Sequence, residues 1–115
     1  MNTIDISTAF AVDENTLRGW VGLGRFGRRD GKARVFSPAE TFAIGLLCAL
    51  SKIGVPVNHS AIESARTLAE MQDRPATFRV RESGGAVIEF DVRSAERMIS
   101  DNLAAVASDK KPTKR

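Results

Sequence analysis

Apolar residues along this chain recur first at helical spacing, then at strand spacing near position 77, and then at helical spacing again. Over Thr3 to Phe10, the positions Ile4, Ile6, Ala9 and Phe10 read as the inner face of a short helix capped by Thr3. Ala11-Val12 makes a turn. Asp13 is a good N-cap, because its carboxylate accepts from the free N–H groups of the next turn and opposes the positive helix end. A second helix is therefore expected from Glu14 to about Val21, with Leu17 inward and Asn15, Thr16 and Arg18 outside. Gly22, Gly24, Gly27 and Gly31 then permit sharp turns. Asp30-Gly31 is a strong turn signal, which predicts a small hairpin pairing Phe26–Arg29 with Ala33–Phe36.

Ser37-Pro38-Ala39-Glu40 is the clearest helix start in the chain: serine caps, proline takes the first helical position, and glutamate completes a capping box. The third helix, Pro38 to about Ile53, is apolar almost all round and so predicts a spine buried on several sides, with Cys48 as a small core residue. Gly54 stops it and Pro56 follows. A fourth helix is expected from about Asn58 to Gln72, with Ile62, Ala65, Leu68, Ala69 and Met71 inward and Ser60 and Glu63 at capping-box spacing. Thr77–Glu82 and Ala86–Asp91 alternate around Ser83-Gly84-Gly85 and predict a second hairpin. Asp91 caps a last helix, Val92 to about Val106, striped by Val92, Ala95, Ile99, Leu103 and Val106. Ser108 to Arg115 is a basic segment with no apolar anchor, read as a disordered tail.

The fold class expected is mainly α (α+β), one domain over 1–107. A core over 1–57 carries an extension of helix, hairpin and helix over 58–107, and the tail is 108–115. A single cysteine leaves no internal disulfide, which fits a reducing cytoplasm. The longest nearly apolar run, Phe42 to Leu50, is far short of the ~20 residues a membrane-spanning helix needs. Net charge is only +3, a weak indication of any partner, so the distribution of charge matters more. Between positions 18 and 34 stand Arg18, Arg25, Arg28, Arg29, Lys32 and Arg34, against the single acid Asp30. Such a cluster around a tight turn suits a polyanion better than a core.

The same stretch resembles the winged helix-turn-helix of the mercury-resistance-regulator (MerR) family of DNA-binding proteins, over roughly positions 3 to 57. Leu17-Arg18 matches the family's Leu-Arg pair, Trp20 the second of its two aromatic residues, Gly24 its terminating glycine, and Arg34-Val35-Phe36-Ser37 its Arg-x-Tyr-Ser. Departures are Gly19 for the first aromatic, Val21 for a glutamate and Ala11 for a turn glycine. The resemblance implies a winged helix-turn-helix with a two-stranded wing and a buried central helix, and a double-stranded DNA partner. It also implies DNA contacts, largely to the backbone, for Arg18 and Trp20.

On this reading the second helix enters a major groove and offers Asn15, Thr16 and Arg18 to base edges or phosphates. The wing lays Arg25, Arg28, Arg29 and Arg34 against flanking phosphates or into a minor groove, and Lys32 is a further DNA-binding candidate. Trp20 keeps a second reading as a partly buried helix anchor, and Arg34 as a cap on a carbonyl or partner of a carboxylate. His59 reads as a surface residue. No phosphate loop, nucleophilic pair, convincing carboxylate pair or metal cluster is present, so no enzyme, metal or cofactor is expected. The functional expectation is a cytoplasmic, nucleoid-associated, sequence-specific transcriptional regulator of bacterial or phage type, working as a homodimer or array on DNA. An excisionase-like or DNA-packaging factor is the alternative within DNA binding. A protein-binding adaptor or antiactivator using the C-terminal hairpin or helix is the alternative outside it.

Overall fold

The third helix is the element on which the others pack. In a computed structural model, which describes residues 2–31, 33–55, 57–81 and 87–110, α1 (Thr3–Phe10) and α2 (Glu14–Gly24) lead into a hairpin of β1 (Arg28–Asp30) and β2 (Ala33–Val35). They are followed by α3 (Pro38–Lys52), α4 (His59–Glu70), a second hairpin of β3 (Thr77–Arg81) and β4 (Val87–Asp91), and α5 (Val92–Lys110). The described chain is mainly helical with two separate two-stranded antiparallel sheets, in keeping with the α+β class. Every residue from Thr41 to Cys48 is buried, as the all-round apolar pattern predicts. One hydrophobic cluster joins Phe10 of α1, Leu17 of α2, Leu46 of α3, Ile62 of α4 and Ile99 of α5. Thr41, polar inside it, donates its hydroxyl to the Ser37 carbonyl at 2.9 Å.

Close approach across α3 depends on Gly45. A Cβ there would lie 2.8 Å from Ile99 Cγ1 and 3.0 Å from Phe10 Cζ, so α1 and α5 both sit against a bare backbone. Gly45→Ala is expected to destabilise the fold by about 1–3 kcal/mol despite its better helix propensity, because both neighbours must move within a packed core. Equilibrium urea unfolding measures this; an unchanged midpoint would show that the core yields freely.

Arg74 closes the α4–α5 side. Its guanidinium donates to the Leu68 and Ala69 carbonyls at 3.0 and 2.9 Å, bonds Glu96 at 2.9 Å, and stacks 3.9 Å over the Phe42 ring. It thus satisfies the open carbonyl end of α4 and ties it to α5. No periodicity in the sequence marks it. In the second hairpin Arg79 lies opposite Glu89 and pairs with it at 3.0 Å, an exposed contact of small energetic weight.

Several boundaries differ from expectation, each for a local reason. Asn2 caps α1 instead of Thr3, in a reciprocal box with Asp5, and Ile4 is 64% exposed. Two helical steps separate Ile4 from Ile6 by about 200°, so the two cannot share a face. The second helix runs on past Val21 to Gly24, with Gly22 and Gly24 helical. The turn falls at Arg25, which takes a left-handed φ of 55°. Phe26 and Gly27 precede β1 and Phe36 follows β2, so the first hairpin is shorter than read. Ile53 lies just beyond α3 and is exposed, with Gly54 (φ 91°) after it.

Asn58, whose side chain accepts from the Ala61 N–H at 2.9 Å, caps α4, so the Ser60–Glu63 box is not used. Met71 lies outside α4 and is exposed. Asp91 does cap α5, accepting from Ser94 N–H at 3.1 Å. That helix continues to Lys110, so Ser108, Asp109 and Lys110 belong to it and not to a disordered tail. Lys32, Pro56, the second hairpin's turn at Ser83-Gly84-Gly85, its flanking Glu82 and Ala86, and positions 111–115 lie outside the described residues.

Candidate nucleic-acid interface

The inward face of α2 is set by Leu17, Trp20 and Val21, one helical turn apart, all buried in the core. Trp20 is 8% exposed, which is the helix-anchor arrangement of its two readings. Asn15, Thr16 and Arg18 are left outside, as expected. The Asp13 carboxylate caps the helix by accepting from Asn15 and Thr16 N–H at 3.0 and 3.3 Å. Arg18 faces Glu14 at 3.6 Å across one turn, with both side chains largely exposed.

Beyond α2 the chain is pinned before it enters the hairpin. The Phe26 side chain is fully buried, and the Arg66 guanidinium lies 4.4 Å over its ring while donating to the Gly24 carbonyl. Gly24 is needed here for space: a Cβ would come within 2.6 Å of the Phe26 ring and 2.9 Å of Ile62. Gly27 follows at φ 76°, with its N–H donated to Glu40 at 2.7 Å. The other oxygen of Glu40 accepts from Ser37 N–H at 2.9 Å, so one carboxylate holds both the foot of the hairpin and the start of α3.

Burial pushes the Glu40 carboxyl up, but the hydrogen bonds from Ser37 and Gly27, helped by Arg66, outweigh it and hold the group below its ordinary value of 4.5. A lowered folded value means the contribution is present at neutral pH and lost as pH falls through it. Stability is therefore expected to decline below about pH 4.5 in the native chain, and less steeply in Glu40→Gln, which starts lower. Thermal unfolding from pH 7 to pH 3 measures both; parallel curves would remove Glu40 from the account.

The hairpin register sets the charges. Arg28 lies opposite Val35, Arg29 opposite Arg34, and Asp30 opposite Ala33, with Gly31 (φ 67°) in the turn. Arg29 and Arg34 thus share one face, a like-charge pair that costs free energy unless something anionic offsets it. Arg34 also donates to the Phe26 carbonyl at 3.1 Å, the second of its sequence readings. An isolated bridge from Asn2 to Val35 ties the start of α1 to β2.

Between α1, α2 and the hairpin lies an open concavity of about 700 Å³, and Arg18, Arg29 and Arg34 meet around it. Arg25 and Arg28 are exposed but do not line it, nor do Asn15 and Thr16, and Lys32 is outside the described residues. Sequence reasoning missed Ile4, Glu14 and Gly22, which do line it. The angular offset of Ile4 from Ile6, and the i,i+4,i+8 spacing of Glu14, Arg18 and Gly22 on α2, are the signals that mark them.

His59 is exposed at the start of α4. Burial, opposed by Lys52, raises the Cys48 thiol to about 12, so it stays protonated at neutral pH. Among the described residues no three His, Cys, Asp or Glu side chains gather as a metal site, and no helix is long and apolar enough to cross a membrane. No protein-family model matches the chain, and no curated protein or solved structure is significantly similar to it.

Proposed function

We propose that the chain binds double-stranded DNA through a winged helix-turn-helix and acts as a transcriptional regulator of bacterial or phage type. The observation that carries this reading is the convergence of Arg18, Arg29 and Arg34 on one concave face between α2 and the β1–β2 hairpin. Three guanidinium groups against one carboxylate, Glu14, make a face suited to a polyanion. The left-handed Ala11 (φ 52°) at the turn between α1 and α2 adds support, because the family that this stretch resembles uses a glycine there. In this mechanism α2 enters a major groove and presents Asn15 and Thr16 to base edges. The hairpin serves as the wing, and its exposed arginines, with Arg25 at the end of α2, grip flanking phosphates. Binding alone is the output; occupancy of a site changes promoter use. One small module has modest affinity, so the proposal includes a homodimer or array on DNA in the nucleoid.

A salt titration tests the reading. Fluorescence anisotropy of labelled duplexes between about 50 and 200 mM salt should give a log–log slope of about −2.7 or steeper, if each of the three groove arginines neutralises one phosphate. Absence of duplex binding at the low-salt end would overturn DNA binding and leave a protein-binding adaptor as the reading to pursue.

A further inference from the structure

We infer that the concavity between α2 and the β1–β2 hairpin seats the sugar–phosphate backbone of one DNA strand, with Gly22 as its point of closest approach and Ile4 as its apolar contact to deoxyribose. The inference rests on the DNA reading and goes beyond it by naming the occupant of this groove. It starts from a glycine with no structural reason in the fold. Gly24 and Gly45 are explained by packing, since a Cβ at either would collide with buried side chains, whereas a Cβ at Gly22 would meet nothing within 4 Å. Gly22 has helical backbone and no positive φ, so its conformation does not require glycine either. A glycine inside a helix weakens it relative to alanine. Gly19 is open in the same way, but of the two only Gly22 lines the concavity, where the absent side chain lets a ligand come close to the helix backbone.

Two further observations describe what approaches. Arg29 lies directly opposite Arg34, and both line the groove with Arg18 facing them from α2. A phosphodiester between these guanidinium groups offsets their repulsion and accepts their hydrogen bonds. Ile4 stands 64% exposed in the same groove, uncovered among the described residues. A nucleic-acid strand alternates charged phosphate with largely apolar sugar, which matches cations interspersed with an isoleucine.

The test compares native chain, Gly22→Leu and Ile4→Ser on two duplexes of unrelated sequence, with melting temperature as a control. Gly22→Leu should fold as well as the native chain, because leucine favours helix and the position is open. It should bind both duplexes about tenfold more weakly, with a shallower salt slope, because the strand no longer reaches all three arginines. Ile4→Ser should weaken both by a smaller common factor. If the native chain binds DNA and Gly22→Leu binds equally well, the groove assignment is overturned while the DNA reading stands. Loss confined to one duplex would overturn it too, since that face would then read bases. Saturable binding of 2′-deoxyadenosine 5′-monophosphate without duplex binding would make this a mononucleotide site and overturn both. No duplex binding at low salt, with no mononucleotide binding, also removes both.

Discussion

Alanine at both Arg28 and Arg29 is expected to weaken duplex DNA binding by about tenfold to a hundredfold at 0.1 M salt, and to flatten the salt slope by about 1.8. The slope follows from two neutralised phosphates at about 0.9 each, and the affinity loss is that exponent applied at the stated salt. Both side chains are exposed and make no hydrogen bond or ion pair among the described residues, so stability should change by no more than about 0.5 kcal/mol. The same does not hold for Arg34, which supports the Phe26 carbonyl, so its removal mixes binding with folding. Successive strand residues point to opposite faces, which puts Arg29 in the groove and Arg28 on the other side of the β1–β2 hairpin. The single variants should therefore differ. Arg29→Ala should act with Gly22→Leu less than additively, because both touch one backbone segment, whereas Arg28→Ala should add independently. Anisotropy titrations at several salt concentrations measure all of these. An unchanged slope in the double variant would show that the hairpin does not touch phosphate.

Phe26→Ala is expected to cost about 3–5 kcal/mol, a large part of the total stability of a domain this size. The side chain is fully buried, its ring lies against the bare backbone of Gly24, and Arg66 covers its other side at 4.4 Å. Its backbone is committed as well: its N–H donates to Val21 at 3.1 Å and its carbonyl accepts from Arg34. Removing the ring opens a cavity where α2, α4 and the hairpin meet, and leaves Arg66 over a void. Phe26→Leu should recover much of the loss by refilling volume, without the cation–π contribution. Urea unfolding with a constant m-value checks the difference. A loss below about 1 kcal/mol would mean that the hairpin's foot can be detached without disturbing the core.

The signals that could be read from the chain were those whose physics is local. Asp13, the Ser37–Glu40 box and Asp91 each bond a backbone N–H within three residues, and each caps the helix it was expected to cap. Where two capping residues compete, local chemistry does not choose. Asn2 displaces Thr3 and Asn58 displaces Ser60, so each expected cap lies inside its helix. Gly22 and Gly24 read as chain breakers, yet both are helical. The close packing of Gly24 against Phe26 and against Ile62 of α4 is invisible to propensity.

The site divides the same way. The cluster of cations between Arg18 and Arg34 is plain in the sequence, and so are the apolar spine and the helix–hairpin order. Amino-acid type and short spacing are enough to specify charge density, helical period and turns. Which cations face one another was decided only by tertiary structure. The Arg29–Arg34 register, the bridge from Asn2 to Val35 and the length of α2 bring three arginines, Ile4 and Gly22 around one groove, and leave Arg25 and Arg28 outside it. Trp20 went into the core for the same reason. A helix face is chosen by the partners that cover it, and those partners lie far away along the chain.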